Sequence, residues 1–182
     1  MLKYTICFIR RGEEVLMLNR ERPSWMGCWN GIGGKLEPGE QPRASMIREL
    51  SEETGIEAYE LHFKGMVTWS SSEWPFGGMY AYVAEVSADM PYPTPVKTDE
   101  GILDWKKIGW ILDEQNVGVA SNVPKVLLAM LRDPSCYDHH CVYEGDRLVS
   151  YAPRIVRPEL EFDDAARDAY FAAYAALQGT PK

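Results

Sequence analysis

The chain has 182 residues, 46% of them apolar and 25% charged, which is the profile of a folded chain rather than a disordered one. Its formal net charge of −8, with no dense cluster of Lys and Arg, argues against a nucleic-acid polymer as partner. A small phosphorylated ligand stays compatible, because a divalent cation can neutralise carboxylates and phosphates that face each other.

The length suits one domain with an appendage. No apolar run reaches the roughly 18 residues that span a bilayer. The opening Met1-Leu2-Lys3-Tyr4-Thr5-Ile6-Cys7 lacks the order of a signal peptide, so a cytoplasmic location and no membrane partner are expected. The four cysteines, Cys7, Cys28, Cys136 and Cys141, are expected as free thiols.

In chain order, Tyr4–Arg10 and Glu14–Asn19 are rich in β-branched and apolar residues, and Arg11-Gly12-Glu13 between them predicts a hairpin. A loop dense in Gly, Pro and Trp follows from Arg20 to Gly39. Pro42–Thr54 predicts a helix, with Pro in its first turn, Ala44, Ile47 and Leu50 as its apolar face, and Gly55 as its stop. Strands are expected at Leu61–Ser70, Met79–Val86 and Gly101–Trp105, with a Pro-rich link from Pro91 to Val96. Val123–Leu131 predicts an apolar helix, Cys141–Tyr143 and Leu148–Tyr151 flank a turn at Glu144-Gly145-Asp146, and Asp163 caps an Ala-rich helix to Leu177. That last helix is expected to pack Ala165, Ala169, Ala172, Ala173 and Ala176, with Tyr170 and Phe171, against the domain or a second subunit in a homodimer.

The chemistry concentrates between Gly34 and Ile56. Glu49, Glu52 and Glu53 stand at i, i+3 and i+4, so they share one helix face and repel one another. Arg48 is the single cation between Ser45 and Ile56. Hard oxygen ligands converging in this way suit Mg²⁺ or Mn²⁺; a solvated acidic helix is the plain alternative for an isolated Glu-x-x-Glu-Glu. Gly33 and Gly34 let the backbone pass close by, so that a carbonyl, that of Gly34, can serve as a further ligand. Glu40 and Arg48 are positioned to pair and hold loop and helix together.

The stretch from Gly34 through Glu40 to Arg48-Glu49-Leu50-Ser51-Glu52-Glu53-Thr54-Gly55-Ile56 resembles the Nudix box at every fixed position. The resemblance implies an α/β Nudix fold, a mixed β-sheet sandwiched between helices. It also implies Glu49, Glu52 and Glu53 as metal ligands that include the water-activating group, with Glu40, Arg48 and Gly55 structural. Order and motifs over residues 1–151, above all Trp29-Asn30-Gly31-Ile32-Gly33-Gly34-Lys35, resemble the oxidised-purine nucleoside triphosphatases, with residues 152–182 as a C-terminal helical extension. In that subgroup the loop asparagine touches the purine, which makes Asn30 a candidate for base recognition and Lys35 for a phosphate; Asn30 is equally a turn residue beside Gly31. Glu100 falls where the family often places a further catalytic or metal-linked carboxylate, or else is a surface charge beside Asp99. The subgroup's paired aspartates are replaced by Gly118-Val119-Ala120-Ser121-Asn122-Val123-Pro124, where Asn122 either reads a base edge or, more simply, caps the next helix.

Trp69, Trp74 and Phe76 are stacking candidates, though single aromatics in strands and loops more often serve packing. Cys136-Tyr137-Asp138-His139-His140-Cys141 lacks a second ligand pair at zinc-site spacing, so incidental use is expected. Three readings stay open: a Mg²⁺-dependent hydrolase turning an oxidised purine nucleoside triphosphate into monophosphate and pyrophosphate; the same chemistry on ADP-ribose, a nucleotide sugar or a dinucleoside polyphosphate; and a non-catalytic nucleotide-binding regulator.

Overall fold

The computed structural model describes residues 2–73 and 76–178, with side chains described to residue 174. Strands β1 (Tyr4–Arg11) and β2 (Glu14–Arg20) form the expected hairpin, closed by Gly12 and Glu13. After the short β3 (Trp29–Asn30) come helix α1 (Pro42–Thr54), β4 (Glu60–Ser71), β5 (Gly77–Glu85), β6 (Val96–Lys97) and β7 (Gly101–Lys107). Helices α2 (Ile108–Ile111) and α3 (Val123–Arg132) lead to the hairpin β8 (Cys136–Glu144) and β9 (Arg147–Val156). A 3-10 turn at Pro158–Glu161 and helix α4 (Asp164–Gln178) end the described chain.

The strands form one sheet in the order β6-β7-β2-β1-β5-β4-β8-β9, with β3 added to β2. The pairs β1·β5 and β4·β8 are parallel and the rest antiparallel, so the sheet is mixed. Side chains alternate across it. Cys7, Leu16, Leu18, Tyr80 and Tyr82 meet Met46 and Leu50 of α1 and the half-buried Ala166, Tyr170 and Phe171 of α4 on one face. Ile6, Phe8, Val15, Met17 and Val83 meet Ile111 of α2 and Val123, Val126, Leu127 and Met130 of α3 on the other. This is the α/β/α sandwich that the resemblance implies.

Three sequence expectations are corrected here. The sheet-facing residues of α1 are Pro42, Ser45, Met46, Glu49 and Leu50, whereas Ala44 is exposed and Ile47 is 45% exposed. The helix is rotated so that Glu49, a carboxylate, turns inward towards the Gly34 backbone. On α4 the buried stripe is Ala166, Arg167, Tyr170, Phe171 and Tyr174, and Ala165, Ala169, Ala172 and Ala173 face solvent. Large rings whose hydroxyls find partners on β8 outweigh small methyl groups in choosing that face. The last hairpin is longer than expected, and β9 runs straight through residue 151 to Val156.

Asp163 does cap α4, its Oδ1 accepting the Ala166 N–H at 3.0 Å. The Cys136–Cys141 run lies on β8, where alternation sends Cys136 to the α1/α4 face and Cys141 to the α3 face.

Candidate active site

β2 pairs with β1 only from Ile9 to Arg11 and then diverges. The loop after β3 fills the opened edge: Ile32 and Cys7 exchange two backbone bonds (2.7 and 2.9 Å), and Thr5 N–H donates to Gly34 O at 2.9 Å. Residues without a Cβ are required there. A Cβ on Gly33 would meet Thr5 O at 2.2 Å, and one on Gly34 would meet Glu49 Oε1 at 2.3 Å. The glycines thus let main chain run between β1 and the inward carboxylates of α1.

Arg48 organises those carboxylates. Its Nε and Nη2 donate to the two oxygens of Glu40, each at 3.0 Å, which pulls the Glu40 carboxyl down to about 2. Nη1 donates to Glu49 Oε1 at 2.8 Å and to Glu52 Oε2 at 3.0 Å, and Nη2 reaches Lys35 O at 3.2 Å. Burial, opposed by Arg48, raises the pKa of Glu49, which is only 9% exposed. Glu53 is raised to about 7, first by burial and then by the charges of Glu49 and Glu100. One oxygen of Glu53 is buried without a hydrogen-bond partner, although the group also takes the Gly33 N–H.

Among the described residues no three His, Cys, Asp or Glu groups converge closely enough to hold a metal ion as they stand. Arg48 pairs with both Glu49 and Glu52 and offsets their charge. The donor set nonetheless fits a hard cation. A buried carboxylate oxygen lacks a partner, a glycine-lined backbone approaches Glu49, and all the oxygens are anionic or carbonyl.

Around this centre, Glu100 lies on the turn before β7, 3.1 Å from Arg22 and 4.0 Å from Arg20, and its charge is felt at Glu53. Asn30 Oδ1 accepts the Gly31 N–H at 2.8 Å, a turn bond that leaves its Nδ2 without a partner among the described residues. Lys35 is exposed, its amine likewise unpaired there. Segment 118–120 docks on β3, with Trp29 N–H donating to Gly118 O (2.8 Å) and Ala120 N–H to Trp29 O (3.0 Å), so Asn30 and Asn122 flank one backbone junction. Asn122 does not cap α3: its backbone is right-handed helical, it makes no side-chain cap, and its Oδ1 is buried without a partner. Trp69 faces α3, while Phe76 packs on Tyr174 and Phe171 of α4; Trp74 lies outside the described residues.

Sequence reasoning missed Arg20, whose charge acts on Glu53, and Trp25, held at φ 64° beside Tyr143. The signal for Arg20 was its place at the end of β2, just before the glycine-rich loop. Nothing local marks a tryptophan for positive φ.

Residues 2–121 match the family described as NUDIX domain. The chain is 31% identical over 137 residues, 71% of its length, to the uncharacterized Nudix hydrolase YvcI of Bacillus subtilis, covering 79% of that protein. It is also 31% identical over 108 residues to the oxidized purine nucleoside triphosphate hydrolase of Mus musculus, with 59% of this chain and 67% of that one covered. Among solved structures, a mutator MutT protein from Bacillus halodurans superposes with TM-score 0.67 at 24% identity, over 84% of this chain and 97% of that one, which supports the fold. The chain belongs to the Nudix family and is a hydrolase of pyrophosphate bonds, in a family that binds small nucleotides and generally uses divalent metal ions.

Proposed function

We propose that the chain hydrolyses purine nucleoside triphosphates, an oxidised purine foremost, to the monophosphate and pyrophosphate, with Mg²⁺ or Mn²⁺ held by Glu49, Glu52, Glu53 and the Gly34 carbonyl. The observation that carries this reading is Glu53: a buried carboxyl with an unpartnered oxygen, next to a glycine-lined carboxylate. A cation bound there neutralises phosphoryl charge and makes water more acidic. Glu53, one of whose oxygens is buried without a hydrogen-bond partner, is suited to take the proton of the attacking water. Arg48, which bonds both Glu49 and Glu52, would keep its two bonds to Glu40 with a cation in place. Arg20 and Lys35 supply cations for the phosphates, and Glu100 restrains Arg20 and Arg22 at the rim.

For the base, Asn30 offers an unpaired Nδ2 and Asn122 a buried unpaired Oδ1, one donor and one acceptor beside the same junction. Unpaired buried polar groups reject a ligand that fails to satisfy them. The name of the mouse relative favours an oxidised purine. A cytoplasmic setting, where nucleotide pools lie, fits this substrate; no described helix is long and apolar enough to cross a membrane.

The test is kcat/KM with Mg²⁺ over 8-oxo-dGTP, 2-hydroxy-dATP, the ordinary nucleoside triphosphates, ADP-ribose, nucleotide sugars and dinucleoside polyphosphates. An oxidised purine triphosphate leads the panel, and Asn30→Ala and Asn122→Ala each erode its lead. If ADP-ribose or a dinucleoside polyphosphate leads, the oxidised-purine reading is wrong.

A further inference from the structure

Gln41 stands just ahead of helix α1, and its side chain makes no cap to that helix. It is spent on the C-terminal helix instead. Arg167 of α4, only 2% exposed, donates from Nη2 to Gln41 Oε1 at 2.8 Å and from Nη1 to Leu160 O at 3.0 Å, and also pairs with Asp164. Gln41 Nε2 reaches Asp164 Oδ2 at 3.5 Å, and within the first turn of α1 Arg43 pairs with Glu161 at 2.9 Å.

Further along the same face, α4 is fixed to the sheet. Tyr170 OH donates to Asp138 Oδ2 at 2.6 Å, Asp138 Oδ1 accepts Thr68 Oγ1–H at 2.6 Å, and Tyr174 OH hydrogen-bonds His140. The tail therefore spans from the β8 floor to the first turn of α1.

Two routes run from Arg167 to the carboxylates. One is α1 itself, a stiff rod in which Gln41 and Glu49 are about 12 Å apart at 1.5 Å per residue. The other passes through Glu40, the neighbour of Gln41, whose two oxygens hold Arg48, which in turn holds Glu49 and Glu52. A buried guanidinium is expensive to retain for stability alone, since an apolar side chain of like volume often serves as well. Metal ligands, by contrast, must be held to about 0.5 Å.

We propose that Arg167 is a positioning residue for the metal-binding carboxylates, so that the C-terminal helix sets the affinity of the site for its cation. This rests on the reading of Glu49, Glu52 and Glu53 as metal ligands.

The test uses the full chain without substrate. Mn²⁺ binding is followed by electron paramagnetic resonance for wild type, Arg167→Met and Gln41→Ala, each well below its melting midpoint and with its circular dichroism recorded. Arg167→Met weakens Mn²⁺ binding about 10-fold, as loss of an outer partner of a metal site does. Gln41→Ala, at an exposed position, removes one bond and weakens it about three-fold, with KM for nucleotide at saturating metal unchanged. Wild-type Mn²⁺ affinity in both variants overturns the proposal, even if their melting points fall. Should Arg167→Met not fold, Gln41→Ala decides alone in the same way. If wild type itself shows no Mn²⁺ site that Glu53→Gln abolishes, the metal reading falls and this inference with it. Intact binding in wild type with unaltered variants removes only the role of Arg167.

Discussion

Gly34 lies so close to Glu49 that a methyl group on its α-carbon would sit 2.3 Å from Oε1. Only the end of a flexible side chain stands in the way, so Gly34→Ala folds while pushing the Glu49 carboxylate out of place. We expect a melting point within a few degrees of wild type and Mg²⁺-dependent turnover reduced about 100-fold. Activity near wild type would mean that the close approach serves packing alone.

Glu53 gives a pH signature in the metal-free protein. Its folded pKa, near 7, lies above the ordinary 4.5, so the native state holds a proton that the unfolded chain releases. The stabilisation is complete below about 4.5 and is lost as pH rises through 7; burial of Glu49 acts in the same direction. Glu40, lowered to about 2, works oppositely but has its window below pH 4.5. Between pH 5 and 8 the buried His139, lowered to about 4, and His140, also lowered by burial, make the metal-free protein more stable as pH rises, and against them Glu53 contributes a downward slope of about 5 °C in the melting point. Glu53→Gln, which keeps the shape without the charge, flattens that slope and raises the metal-free melting point at pH 8. A slope identical in wild type and variant would remove the assignment.

The helix that carries the box glutamates, the turns of the two hairpins and the stop at Gly55 were legible because each depends on spacing or on a turn residue with one physical use. The face of α1 was not. Periodicity favoured Ala44 and Ile47, but Glu49 turns inward to meet a glycine-lined backbone supplied by a loop ahead of the helix. The stripe on α4 was misassigned for a related reason. A buried arginine reads as surface until its partner, Gln41, is brought to it across the fold. Asn122 stood in a helix-start position by sequence, yet its helical backbone points the side chain into the protein, where its oxygen has no partner.

The deletion of residues 158–182 removes Tyr170, Phe171, Tyr174 and Arg167 from the face that covers Tyr80 and Tyr82. Apolar surface and two buried tyrosine hydroxyls would meet water. We expect increased binding of a hydrophobic dye and a melting point lowered by about 10 °C or more. An unchanged melting point and unchanged dye binding would show the tail to be a free appendage.

The most direct test of the metal-centred account is steady-state turnover of Glu53→Gln and Glu52→Gln with saturating Mg²⁺ on the best substrate of the panel, each variant checked for native circular dichroism. The account predicts that kcat falls about 100-fold or more in both, because each loses a charge that faces the cation and Glu53 also loses its proton acceptor. Near-normal Mg²⁺-dependent kcat in both folded variants would contradict it.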